Sequence, residues 1–251
     1  MKANVIYGLI VGALIFIPLE RIFALRKDQR ILRRGWRTDV IHFLFTRTLS
    51  DAFTFVSVGA LILLAHWFVS PSFQESVASQ NRALQFIEAV LIANVGAYVG
   101  HRLSHQIPFL WRFHSVHHSI SEMDWLAAAR VHPLDQIVTK ALTILPLYVL
   151  GFSKATFGTY IGLATFHAVL IHANVRFKFG PLRWLIGSPQ FHHWHHSADP
   201  EAHNKNFAGE LPLLDLLFGT YYLPHNRMPQ TYGVSEPVPV GYVGQMLYPF
   251  R

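Results

Sequence analysis

The sequence predicts an all-α, integral-membrane helical bundle, and three observations lead to that class. Hydrophobic residues make up 51% of the 251 residues and charged residues only 14%, whereas a soluble domain carries about 25% charged residues. Five apolar stretches are candidates for membrane spans, since a spanning helix needs about 20 mostly apolar residues. Basic residues are concentrated between these stretches in a pattern typical of membrane topology. Because no repeat or long linker divides the chain, we predict one domain over residues 1–251.

The predicted spans are, in chain order, residues 5–19, 52–69, 84–100, 134–150 and 155–171. We expect the first to be a retained signal anchor, because Glu20 and a basic run follow it instead of a small-residue cleavage site. The last two form a predicted hairpin that turns at residues 151–154. Lys140, Pro146 and the short length of both stretches also fit a re-entrant pair, and either form returns the chain to the same side.

The distribution of basic residues predicts which side of the membrane each loop occupies. Seven basic residues lie between positions 21 and 37, so we expect this loop to be cytoplasmic. The opposite side then holds only three basic residues, Lys2, Arg82 and Lys154. The histidine-rich segments 101–118 and 192–196 both fall in the cytoplasm, at a bacterial inner membrane or an equivalent one. Topology accounts for the net charge of +7, and we predict no nucleic-acid partner.

Eight of the 16 histidines form three short motifs. These are H-x-x-x-H at His101 and His105, H-x-x-H-H at His114, His117 and His118, and H-x-x-H-H at His192, His195 and His196. Residues three or four apart on a helix share one face, and neutral imidazole is the commonest protein metal ligand. The three motifs supply eight imidazoles, too many for one tetrahedral ion. The sequence therefore predicts a centre with two metal ions.

Two prolines predict how helices carry these motifs. Pro108 disfavours helix at Ile107 and can begin a new helix, which would carry the second motif. Pro189 precedes the third motif, where proline is favoured near a helix start. The predicted architecture is therefore a membrane bundle with a cytoplasmic-side, histidine-rich helical cap that holds the two metals.

The order of the three motifs and their local sequence resemble the fatty acid hydroxylase / sterol desaturase superfamily of membrane histidine-box proteins. The resemblance rests on His101-Arg102-Leu103-Ser104-His105, the segment 110–119, Arg130-Val131-His132-Pro133, His172-Ala173-Asn174 and Phe218-Gly219-Thr220-Tyr221. It covers about residues 90–222, which we expect to be the catalytic region.

This resemblance implies a non-haem di-iron centre that uses O2 to hydroxylate or desaturate a lipid C–H bond. It implies that the eight motif histidines are metal ligands and catalytic residues, and that His172, in the family's H-x-N position, is a ninth ligand. A tenth is left open between His132, His167 and water. His193 lies where relatives often have arginine, and it is not counted as a ligand.

The lipid substrate, the bilayer and a separate electron-transfer protein are the partners that we expect. An external electron donor is needed because the sequence has no G-x-G-x-x-G fingerprint and no haem or iron–sulfur motif. Zinc could replace iron in a purified sample, but zinc has no redox chemistry. Metal-bound imidazoles usually donate their other N–H to an oxygen, and the candidate carboxylates are Glu122, Asp124, Asp135, Asp199 and Asp215.

Two other functions fit the sequence less well. One is a zinc-dependent membrane hydrolase, although the H-E-x-x-H motif of zinc proteases is absent. The other is a membrane metal transporter or metal-binding protein, which Glu88, Asn94, His167 and His172 favour. Transporters place their ligands near the bilayer midplane, whereas the motifs here are predicted at the cytoplasmic edge.

Overall fold

The computed structural model describes residues 3–65, 67–225 and 227–251, and its regular elements are helical. The helices are α1 (Ala3–Ile22), α2 (Trp36–Ile41), α3 (Arg47–Ala65), α4 (Pro71–Ala78), α5 (Arg82–Gln106), α6 (Pro108–His118), α7 (Asp135–Leu150), α8 (Lys154–His172), α9 (Pro189–His195), α10 (Leu213–Leu217) and α11 (Tyr242–Leu247). Within these residues there are no strands, only two isolated β-bridges. The predicted all-α class is therefore confirmed.

Helix α5 is central and packs against α6, α7 and α8. Two glycines one turn apart allow its closest approach to α7. A Cβ on Gly96 would overlap the backbone carbonyl of Leu142, and a Cβ on Gly100 would lie 3.1 Å from the Cα of Thr139. Small residues four apart are the usual means by which membrane helices bring their backbones together.

Helices α7 and α8 occupy the two arms of the predicted hairpin. Helix α7 ends at Gly151, whose φ of 87° is a left-handed conformation that favours glycine. Helix α8 then begins after Ser153, whose hydroxyl accepts a hydrogen bond from the backbone N–H of Thr156. The turn therefore lies where the sequence places it.

Two of the described helices are long and apolar enough to cross a membrane, Asn4–Ile22 and Arg82–Gln106. They coincide with the first and third predicted spans. The other three predicted spans lie largely on α3, α7 and α8, which do not meet the same criterion over the described residues. His66, within the second predicted span, and Lys2 lie outside the described residues. The five-span topology remains a prediction.

Both predicted helix boundaries beside the histidine motifs are confirmed. Ile107 is extended, and α6 begins at Pro108. Ser188 is also extended, its hydroxyl accepts from the backbone N–H of Phe191, and α9 begins at Pro189. The breaks separate the first motif from the second and give the third motif a short helix of its own.

A buried ionic cluster joins the segment after α1 to the segment that follows α6. Asp39, which is fully buried, accepts from Arg33 at 2.7 Å and from Arg130 Nε and Nη2 at 2.6 and 3.1 Å. Arg33 also pairs with Asp124, whose carboxylate caps the backbone N–H of Ala127. We call Arg33, Asp39, Asp124 and Arg130 the ionic cluster.

Candidate metal centre

The nine histidines predicted as ligands come together in two groups. The five-histidine group contains His101, His105, His114, His118 and His195. The four-histidine group contains His117, His172, His192 and His196. Within each group the candidate ligand nitrogens lie within 4.8 Å of one another. The groups are adjacent, because the rings of His118 and His196 stack with centroids 4.4 Å apart.

The Nε2 atoms converge inside each group. In the five-histidine group, His114 Nε2 lies 3.0 Å from His101 Nε2 and 3.1 Å from His118 Nε2. A metal–imidazole bond is about 2.1 Å long, so two such nitrogens at right angles on one ion lie about 3 Å apart. The observed separations match that spacing.

The four-histidine group repeats the arrangement. His172 Nε2 lies 3.2 Å from His117 Nε2 and 3.1 Å from His192 Nε2, and His196 Nε2 is 3.2 Å from His192 Nε2. Helices α6, α8 and α9 supply three of these rings, and His196 directly follows α9.

Oxygen acceptors fix the other ring nitrogen of five of these histidines. The Nδ1 atoms of His101, His117, His172 and His195 donate to the carbonyls of Phe207, Arg130, Ala168 and Lys205 at 2.7, 2.9, 2.6 and 2.8 Å. His114 Nδ1 lies 3.1 Å from the Asp135 carboxylate. A carbonyl can only accept, so each such Nδ1 carries the proton and leaves Nε2 with its lone pair.

The hydrogen bonds at Nδ1 determine what the short Nε2 contacts can be. When His117 and His172 are neutral, both of their Nε2 atoms present lone pairs, and neither atom can donate to the other across 3.2 Å. His101 and His114 face the same problem at 3.0 Å when both are neutral. Each contact places two acceptors together, an arrangement that a shared cation would stabilise. This geometry fits one metal ion in each group.

Burial favours the neutral, ligand-competent form of these rings. Burial first, and then the neighbouring His114, lowers the pKa of His117 to about 3. The same desolvation, with repulsion from surrounding imidazoles, holds the pKa values of His192, His195 and His196 well below the usual range. An uncharged imidazole is the form that binds a metal.

Unpartnered nitrogens give a second sign that the rings fit metal ions. Among the described residues, buried His105 Nε2 and His195 Nε2 have no hydrogen-bond partner, and neither do Nδ1 of His192 and His196. Buried polar atoms without partners are uncommon in folded proteins. Two of these atoms are Nε2 atoms of the five-histidine group.

The other histidines considered from the sequence lie outside both groups. His132 Nε2 donates to the carbonyl of Met246 at 3.2 Å, and His167 Nε2 donates to that of Gly187 at 2.7 Å. Neither residue belongs to the two groups, and the tenth ligand stays open. His193 uses both ring nitrogens elsewhere, on the Tyr232 hydroxyl and the Ala173 carbonyl.

The candidate carboxylates differ in their distance from the histidines. Asp135 alone contacts one directly. Asp215 accepts from the backbone N–H groups of Phe207 and Ala208, and so positions the carbonyl that His101 uses. Asp124 belongs to the ionic cluster, Glu122 accepts from the backbone of Arg34, and Asp199 precedes a single turn of 3₁₀ helix at Pro200–Ala202.

Three residues that hold the segments around the site were not predicted from the sequence, namely Glu20, Asp39 and Arg130. Asp39 holds Arg130, whose carbonyl accepts from His117. Glu20 accepts from the backbone N–H groups of Trp125 and Asn174 at 2.7 and 2.9 Å. Arg130 stands in a motif segment of the sequence, but nothing in the sequence pairs it with Asp39, 91 positions away.

A helical chain whose buried histidines converge in two adjacent groups defines a candidate dimetal protein. Comparison with known families is more specific, since the model of the fatty acid hydroxylase family matches residues 86–220. This match covers more than half of the chain, which therefore belongs to the fatty acid hydroxylase family.

Curated relatives modify lipids. The chain is 36% identical over 169 residues to the ornithine lipid hydroxylase OlsE of Rhizobium tropici, covering 67% of this chain and 51% of the relative. It is 25% identical over 201 residues to human alkylglycerol monooxygenase, covering 76% and 44%. A putative methylsterol monooxygenase of Dictyostelium discoideum is 26% identical over 139 residues, covering 55% and 51%. The chain thus spans about half the length of these relatives. No solved structure matches it.

Proposed function

We propose that this protein is an O2-dependent, non-haem di-iron monooxygenase that hydroxylates a C–H bond of a membrane lipid, such as a fatty acyl chain or a sterol-like lipid. The observation that carries the proposal is the pairing of the five-histidine and four-histidine groups, each with Nε2 lone pairs converging at ligand spacing. The names of the relatives include a lipid hydroxylase and monooxygenases, which favours hydroxylation over desaturation.

Each histidine group would hold one iron ion, with the nine rings as ligands. Imidazole suits iron, zinc, copper and nickel; redox chemistry disfavours zinc, and the proposal of iron follows the family resemblance, which implies a non-haem di-iron centre. Bound iron would supply O2 activation and the oxidation of the C–H bond, for which zinc is unsuitable. We propose that water would fill any further coordination position on the metal ions.

The chain's own residues would orient the ligands and keep water away. Carbonyls and Asp135 hold the Nδ1 protons, so the rings cannot rotate freely. Beside the five-histidine group, Trp111 and Phe207 lie with ring centroids 5.0 and 5.2 Å from that of His105. These two aromatic rings would form part of an apolar wall where a lipid chain is positioned and water is excluded.

The proposed setting is a single multi-pass membrane domain over residues 1–251, with its catalytic region at about 90–222. The centre would lie on the cytoplasmic face of a bacterial inner membrane or an equivalent membrane. His101 and His105 lie at the C-terminal end of α5, which is the end that the predicted topology assigns to the cytoplasm. A separate electron-transfer protein would reduce the iron.

An isotope experiment tests the proposal. The purified protein is loaded with Fe(II), supplied with a chemical reductant and bacterial lipid extract under ¹⁸O2, and the lipids are analysed by mass spectrometry. We expect one ¹⁸O atom in a hydroxylated lipid. His117→Ala and His195→Ala should each lose bound iron and product. His203→Ala, which removes an exposed histidine outside both groups, should keep them.

Three results would count against the proposal. Full activity after either ligand substitution would remove the dimetal assignment. A lipid product formed without O2 by the zinc-loaded protein would indicate a hydrolase. Metal flux through proteoliposomes that survives both substitutions would indicate a transporter.

A further inference from the structure

We propose that a basic cleft beside the N-terminal helix binds the acidic headgroup of a membrane lipid. The cleft has a volume of about 670 Å³ and is formed mainly by the segment that follows α1, with Glu122 and Val240 on its far side. The hydroxyl of Thr38 donates to the carbonyl of Val240 at 3.0 Å and joins the two walls. The cleft contains none of the nine histidines of the metal centre.

Arginine dominates the charge of this cleft. Arg30, Arg34 and Arg37 line it and are exposed. In the part of the chain that the structure describes, ion pairs involve Arg33, Arg130, Lys140 and His114 but none of these three. Arginine binds phosphate and carboxylate oxygens through two parallel N–H groups, so three guanidinium groups that take part in none of these ion pairs suit an anionic headgroup, although that of Arg37 also lies 5.5 Å from the centroid of the Trp36 ring.

The acidic residues of the cleft do not cancel this charge. Glu122 accepts from the backbone N–H of Arg34 at 2.7 Å, which directs its carboxylate to the chain. Asp28 is exposed and forms no ion pair among the described residues. With Arg33 engaged in the ionic cluster, three free arginines face two carboxylates.

The buried wall of the cleft holds an unsatisfied donor. Arg33 lines the cleft and is only 2% exposed. Its Nη atoms bind Asp39, Asp124 and the carbonyl of Arg34, but its Nε has no partner among the described residues. A buried N–H without an acceptor is costly, and an anionic oxygen that reached Arg33 Nε would relieve that cost.

The surroundings of the cleft favour a lipid over a free anion. The segment follows α1, one of the two helices long and apolar enough to cross a membrane. Ile31 and Leu32 beside the arginines are 49% and 61% exposed. Arginines next to a membrane helix are attracted to acidic headgroups, and exposed apolar side chains beside them would contact the acyl chains.

The cleft also borders the metal centre through one residue. Gly35 has a φ of 84°, and a Cβ there would come within 2.6 Å of Arg130 Nη2. The carbonyl of Arg130 accepts from His117 of the four-histidine group. A bound headgroup would contact Gly35, which in turn lies next to Arg130, and its binding does not depend on the proposed hydroxylation.

Lipid titration of the 251-residue chain in a non-ionic detergent tests the inference without iron or O2. Dioleoyl phosphatidylglycerol and dioleoyl phosphatidylcholine are compared by native mass spectrometry, with inorganic phosphate as a competitor. We expect preferential binding of phosphatidylglycerol. The triple variant R30Q/R34Q/R37Q should weaken it on the order of a hundredfold, as three arginine–headgroup contacts are lost.

The matched control is R82Q/R176Q/R251Q, which removes three exposed arginines elsewhere and should leave the preference unchanged. The variant R30K/R34K/R37K keeps the charge and the fold but removes paired N–H contacts, so it should lose part of the affinity. Equal binding of both lipids, or equal loss in the control, would overturn the inference. Displacement by phosphate at the affinity of the lipid would assign the cleft to free anions and overturn it as well.

Discussion

Substituting Asp39 by asparagine should weaken both the fold and one of the two metal sites. Asp39 is fully buried and accepts three hydrogen bonds from Arg33 and Arg130, at 2.6 to 3.1 Å. An amide oxygen can accept some of these bonds, but the two guanidinium charges then lose a partner. Removing one partner of a buried ion pair costs about 3–5 kcal/mol. We expect the free energy of unfolding to fall by about that amount.

The effect on metal follows from the contact between Arg130 and His117. The carbonyl of Arg130 accepts the Nδ1 proton of His117 at 2.9 Å, and loss of such an outer partner lowers metal affinity by about 10–100-fold. His117 belongs to the four-histidine group, so the loss should fall there. At an iron concentration that just fills both groups of the unchanged protein, we expect Asp39→Asn to bind close to one iron per chain instead of two.

Asp51→Asn is the matched control. Asp51 pairs with Lys140 at 3.1 Å, but its side chain is 64% exposed, and an exposed pair contributes about 0–1 kcal/mol. Denaturant unfolding in detergent and iron analysis by plasma mass spectrometry measure both quantities. If Asp39→Asn matched Asp51→Asn in stability and iron content, the ionic cluster would have no positioning role.

Three further predictions follow from contacts at the centre and in the bundle. Asp135→Asn should lower iron affinity by about 10–100-fold, because His114 loses a carboxylate partner; iron titration that detects no change would contradict this. Gly96→Ala should lower the free energy of unfolding by about 1–3 kcal/mol, because the added Cβ forces α5 away from α7. Gly162→Ala, with nothing within 4 Å of its added Cβ, should be neutral or stabilising. Equal melting temperatures of these two variants would contradict the close approach of α5 and α7. Chelation of bound metal should lower the melting temperature of the unchanged protein, and should do so less in the variant His117→Ala.

Local features of the fold followed from the sequence because they depend on nearby residues. Proline at positions 108 and 189 fixes helix starts whatever packs around them. Gly151 ends α7 because the turn needs a left-handed residue. Histidines at i, i+3 and i+4 share a face for the same local reason, so the spacing of the motifs selects eight of the nine rings, and His172 was added by the family resemblance.

Features that depend on distant residues could not be predicted in this way. Asp39 and Arg130 are 91 positions apart, and no local pattern pairs them. The division of α6 between the two groups, with His114 and His118 in one and His117 in the other, depends on where α5, α8 and α9 place their histidine rings around α6. The sequence predicted two metal ions but did not assign each ring to one.

This division has a consequence for how metal would be acquired. Helices α6 and α9 supply rings to both groups, so the first ion to bind would immobilise two helices that the second also requires. The conformational entropy lost on ordering them is then shared between the two binding events, which makes the second one tighter. Uptake should therefore be positively cooperative. When iron is scarce, the expected population is a mixture of empty and doubly filled chains with few carrying a single ion.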